Sequence, residues 1–190
     1  MEIIIHRGTH QIGGCVTEIR TEEARIVIDM GTPLPGSKTE DEFDVTEENA
    51  IALPGVTVSI NSDSDNVKPC DGVFITHYHG DHIGRIDMLL PDIPLYMGPA
   101  AKEIYSIYCK RNDLTEKVNR LQAAHTYTAG QPIQIKNITI TPLLTSHSAL
   151  DAYMLLIEAE GKTILHTGDF SLHGYEGKHR FHFSFRLRLV

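Results

Sequence analysis

Thr76-His77-Tyr78-His79-Gly80-Asp81-His82 packs three imidazoles and a carboxylate into seven positions, directly after the apolar run Gly72-Val73-Phe74-Ile75. The run reads as a short buried strand, whose period-two geometry sends His77 and His79 off the same side of its end. Asp81 and His82 are then predicted to open a helix. Neutral imidazole and carboxylate are the usual ligands of zinc and related borderline metals, and a catalytic site keeps one coordination position for water. One short loop between a strand and a helix can therefore serve two ions. Histidines also cluster in solvated loops without any metal. The fourfold pattern HxHxDH, set between a strand signal and a helix signal, favours a two-metal hydrolytic site instead.

The rest of the chain bounds what can surround that loop. Its 190 residues, 41% of them hydrophobic, suit one globular domain over residues 1 to 190 with a sizeable core. A formal net charge of −8 argues against a strong non-specific grip on a nucleic-acid backbone, which needs clustered Lys and Arg to release counterions. A local basic groove stays open. The N-terminus lacks a basic region followed by a long apolar segment, and no later stretch reaches about 18 apolar residues. No membrane partner is expected, and a soluble, unexported protein of the cytoplasm is. Cys15, Cys70 and Cys109 are odd in number, far apart and outside any CxxC pair, so they read as reduced and buried.

Strands are predicted at Glu2 to His6, Cys15 to Arg20 and Ala24 to Asp29, then at Ile133 to Ile135, Ile138 to Leu143, Ala152 to Glu158 and Lys162 to His166. Thr32 to Asn49, rich in Pro, Gly and acids, reads as an exposed loop or short helix. Pro99 to Gln122 carries apolar positions suited to a helix or helix pair on a sheet. Two further candidate ligands stand at strand ends, where a scaffold presents side chains to a cleft: His147 in Thr145-Ser146-His147-Ser148, and Asp169 in Thr167-Gly168-Asp169-Phe170. Asp29, at the end of an early strand, reads either as a turn residue or as a hydrogen-bonding support for the site. His6, His10, His125 and His166 read as structural or solvated.

The segment THYHGDHIG resembles the signature of the metallo-β-lactamase-fold hydrolases, an α/β class built as an αββα sandwich. The resemblance implies that His77, His79 and His147 hold one ion. Asp81, His82 and Asp169 would hold a second, with Asp169 bridging the two and Asp81 accepting a proton from the attacking water. Segments IGGCVTEI, IDMG, SHSALDAYMLLIE and TGDFSLHGYEGK look like the RNA-processing branch, ribonuclease J and its β-CASP relatives. There the matching positions of Ser148 and Asp151 belong to a loop near the site. Two divalent ions are thus implied, zinc by the histidine-rich donor set, with manganese or iron able to occupy similar sites.

The chain departs from that family in its tail. Relatives continue beyond GDFxxHG and supply a last histidine to the second ion, whereas this chain ends 21 residues after Asp169. Only the N-terminal part of the sandwich plus a short C-terminal strand is therefore expected. His173, His179 or His182 would be the candidates to replace the absent ligand. The alternation from Arg180 to Val190 reads as a strand with one apolar face, suited to capping the sheet or pairing with a second copy in a homo-oligomer. Three functions stay open: a ribonuclease J-like hydrolase using a hydroxide between two ions on RNA or another phosphodiester, a small-molecule thioesterase or lactonase, and a metal-binding remnant without turnover.

Overall fold

A computed structural model describes residues 1–7, 9, 12–34, 53–57 and 68–171. The alternating tail from Arg180, its pairing with a second copy, His10, His173, His179 and His182 lie outside the described residues, as does most of the acidic stretch from Thr32 to Asn49. The described residues form two sheets. The first contains β1 (Glu2–Arg7), β2 (Val16–Arg20), β3 (Arg25–Ile28), β4 (Gly72–Phe74), β5 (Leu95–Met97) and β6 (His125–Thr126), adjacent in that order. Its first three strands are antiparallel and the remainder parallel. The second is an antiparallel meander of β7 (Ile133–Ile135), β8 (Ile138–Leu144), β9 (Tyr153–Ala159) and β10 (Lys162–His166). Helices α1 (Gly80–Ile83), α2 (Pro99–Arg111) and α3 (Thr115–Ala123) and a 3-10 turn at Ile86–Met88 complete the described elements, so the segment from Pro99 forms a helix pair rather than one helix.

Alternation along the strands builds two cores. Val27, Val73 and Ile75 point to one face of the first sheet and pack with Ala101, Tyr105 and Leu121 of the helices. Ile26, Ile28 and Phe74 point to the other face and meet Ile138, Ile140, Leu155 and Ile157 of the second sheet. The described layers are therefore helix, sheet and sheet, with parallel strands β3 and β4 buried on both faces as their uninterrupted apolar sequences require. β5 and β6 were not anticipated. They are three and two residues long, too short for periodicity to register.

One charged pair is buried on the helix side of the sheet. The Arg25 guanidinium forks onto Glu18, with Nε to Oε1 at 2.7 Å and Nη2 to Oε2 at 3.1 Å. Its Nη1 donates to the carbonyls of Pro54 and Lys68, so one side chain ties both chain segments to β3. Glu18 also bonds His6 and Arg20. Burial alone would raise the Glu18 pKa, but hydrogen bonds from His6, Arg25 and Arg20 hold it down at about 2. Because the folded pKa lies below the ordinary carboxylate value, this contribution is complete above about pH 4.5 and is lost as pH falls toward about 2. Glu18→Gln should flatten that part of the acid-unfolding profile. At neutral pH it should cost about 3–5 kcal/mol by leaving Arg25 buried without its counter-charge. Urea unfolding midpoints of both proteins between pH 7 and pH 2 check this, and an unchanged acid limb would count against it.

Candidate metal centre

The motif loop is built on the ends of β3 and β4. Asp29, the residue after β3, takes a left-handed backbone conformation with φ of 61°. It is fully buried. Its carboxylate accepts the Thr76 N–H at 2.8 Å and the Thr76 hydroxyl at 2.9 Å, and bonds His82 Nδ1 at 2.7 Å. Burial alone would raise the Asp29 pKa. The hydrogen bond and charge of His82, with the His166 ring and the Thr76 N–H, hold it below the usual carboxylate range. With Nδ1 committed to Asp29, His82 is left with Nε2 facing the cluster.

Backbone contacts fix the rest of the loop. Cys15 N–H donates to the Asp81 carbonyl, Met30 N–H to that of His82 and Thr32 N–H to that of Gly80. A Cβ at Gly31 would sit 1.7 Å from the Asp81 carbonyl oxygen, so glycine is required by the close approach of two main chains. Behind the loop, the buried Tyr127 hydroxyl donates to the Ile75 carbonyl.

The second sheet delivers the remaining side chains. His147 follows β8 and Asp169 follows β10. His147 Nε2 lies 3.2 Å from His79 Nδ1. Asp169 stands between two histidines, with Oδ1 3.5 Å from His82 Nε2 and Oδ2 3.8 Å from His147 Nε2. Potential ligand atoms of His77, His79 and His147 lie within 4.8 Å of one another, and so do those of His77, His82 and Asp169. The second grouping contains His77 where Asp81 was expected. Asp81 stands beside it, with Oδ2 3.7 Å from His82 Nε2.

The donor set fits a cation. His77 Nε2 is buried and has no hydrogen-bond partner among the described residues, and His77 is the residue common to both groupings. Burial, with the neighbouring His82, pushes the His77 pKa down to about 3, so the ring is a neutral base with a free lone pair across the physiological range. Four imidazoles crowded together would be a poor arrangement for nitrogen lone pairs alone, and a good one around a divalent ion.

Other sequence candidates fall differently. Ser148 is exposed beside His147. Asp151 faces helix α2, where its Oδ2 accepts the N–H groups of Ala100 at 2.8 Å and Ala101 at 3.1 Å. It caps that helix and thereby holds the loop that follows His147. Gly98 leaves room for the cap, since a Cβ there would lie 2.4 Å from the same oxygen. Sequence reasoning missed Thr76, whose hydroxyl also reaches His77 Nδ1 at 3.1 Å, and His166, which shares a cavity with His82 and Asp169. A hydroxyl before a histidine motif and a histidine ending a strand carry no periodic signal.

Asp151→Ala should cost about 0.5–2 kcal/mol by uncapping α2, whereas Ser148→Ala should stay within about 0.5 kcal/mol of wild type. Urea denaturation distinguishes the two, and equal stability of all three proteins would remove the capping role.

A family model described as "Beta-lactamase superfamily domain" matches residues 51–182. The ribonuclease J of Helicobacter pylori is 29% identical over 167 residues, which cover 87% of this chain and 22% of that protein. Ribonuclease J 1 of Streptococcus pyogenes is 26% identical over 165 residues, covering 86% of this chain and 27% of that protein. The chain thus spans about a quarter of the length of these curated relatives. A solved structure of an Enterococcus faecalis protein of unknown function superposes with a TM-score of 0.78 at 25% identity, over 95% of this chain and 46% of that one. No helix among the described residues is long and apolar enough to cross a membrane.

Proposed function

Since the chain belongs to the beta-lactamase superfamily, we propose that it is a metal-dependent hydrolase whose substrate is RNA or another phosphodiester. The observation that carries this reading is the Asp169 carboxylate set between His82 and His147, one oxygen toward each. In this proposal His77, His79 and His147 would hold one divalent ion, and Asp81, His82 and Asp169 a second. Zinc suits the imidazole-rich set, and manganese or iron are the alternatives. Ions held there would supply Lewis acidity toward the attacked group and lower the pKa of water.

The side chains have separable tasks. Asp29 holds the His82 ring in one orientation through Nδ1, and Thr76 locks Asp29 in turn. In the same proposal Asp81, part-buried with Oδ2 3.7 Å from His82 Nε2, would accept a proton from attacking water. The ribonuclease J names of the similar proteins support a phosphodiester substrate. A small-molecule hydrolase is the second reading. It is favoured by a cavity of about 470 Å³ beside His79, lined by Tyr78, Ile104, Tyr105, Tyr108 and Leu114, which suits an apolar acyl group.

Elemental analysis of protein purified without chelator should find two ions per chain, with fewer in His79→Ala and in Asp169→Ala. Asp29→Asn should retain the ligands yet bind metal about 10–100-fold more weakly, as measured by chelator competition. Turnover of bis(p-nitrophenyl) phosphate in preference to an acyl thioester supports the phosphodiester reading, and the reverse preference supports the second. Metal-free protein, or metal without turnover of either, would sink the hydrolase assignment.

A further inference from the structure

A second cavity, of about 330 Å³, opens on the other side of the cluster between β1 and β10. His82, Asp169, Thr167 and Gly168 form its inner wall, and Arg7 stands in its lining. A register shift between Ile5 and Arg7 interrupts the pairing of β1 with β2 just there. Such bulges re-aim a side chain at the edge of a sheet. Among the described residues, Arg7 is the one Arg or Lys in the lining of this cavity. Arg25 and Arg20 pair with Glu18, Lys117 with Asp87 and Lys136 with Asp71, but Arg7 has no carboxylate partner among the described residues. Its Nη1 is buried without a hydrogen-bond partner there. The adjoining guanidinium of Arg85 adds positive charge rather than neutralising it, and together with the larger effect of burial it holds the Arg7 pKa below its ordinary value.

A part-buried guanidinium that lines a cavity without a counter-charge is stabilised by acceptor oxygens that enter that cavity. The planar fork of Arg matches the two oxygens of a phosphate group. We infer that Arg7 is an anion-binding residue that receives a phosphoryl oxygen of the substrate in the cavity beside His82 and Asp169. The inference deepens the phosphodiester reading and rests on it for its catalytic meaning, although the binding itself is independent of turnover. It also distinguishes between substrates, because a lactone or simple thioester carries no anion at its reacting centre for Arg7 to hold.

Inorganic phosphate is the probe. Its dissociation constant is measured by isothermal titration on wild type, Arg7→Gln and Arg7→Lys, with the metal content of each matched by elemental analysis and folding checked by circular dichroism. Arg7→Gln should weaken phosphate binding by about tenfold or more, and Arg7→Lys, which keeps the charge but loses the fork, by about three- to tenfold. The KM for bis(p-nitrophenyl) phosphate should rise in the same order. Equal phosphate affinity in wild type and Arg7→Gln, or no phosphate binding by wild type, overturns the inference. Should Arg7→Gln fail to fold, Arg7→Lys decides alone: a native spectrum with wild-type affinity overturns the inference, and a loss supports it. Phosphate binding that depends on Arg7 in a protein that turns over no phosphodiester would leave the anion site standing and remove the hydrolase reading.

Discussion

The buried carboxylate of Asp29 is the constraint on which the cluster depends. It leaves β3 in a left-handed conformation and gathers the Thr76 amide, the Thr76 hydroxyl and the His82 ring onto two oxygens. Those contacts join the end of β3, the end of β4 and the first turn of α1 at one point. An ionised group in the interior is tolerated only when its acceptor sites are filled, and here they are. The direction of the motif histidines follows from that satisfaction as much as from strand alternation.

The first sheet alone would present four of the six candidate ligands, His77, His79, Asp81 and His82. His147 and Asp169 arrive from the ends of β8 and β10, and the sheets face each other through the apolar layer that contains Ile26, Ile28, Phe74, Leu155 and Ile157. Hydrophobic packing thus sets the distance across which His79 meets His147 and His82 meets Asp169. A chemical centre suspended between two sheets is sensitive to volume changes in the core beneath it, because interiors are close-packed and transmit strain.

What was legible in the sequence was what repeats or clusters. The HxHxDH loop, the longer strands and the helix pair all announce themselves through spacing, and His147 and Asp169 through their places after strands. The rest depends on tertiary meetings of residues far apart in sequence. Nothing local marks Glu18 and Arg25 as a buried pair. Asp151 was read as part of the loop near the site, and only the packing of that loop on α2 shows its carboxylate spanning the first turn of a helix about 50 positions earlier. His166 was set aside as structural or solvated because a histidine ending a strand has no periodic partner. The structure brings it into the lining of the cavity beside the cluster.

The cap formed by Asp151 makes the loop after His147 and the start of α2 a single mechanical unit. That loop cannot swing away from the cluster while the amides of Ala100 and Ala101 remain bonded to the Asp151 carboxylate. Any opening that admits a bulky polymer by moving His147 must therefore expose those two amides to solvent. Their hydrogen-exchange rates are then a clock for the opening of the site, read on a helix that itself contributes no ligand.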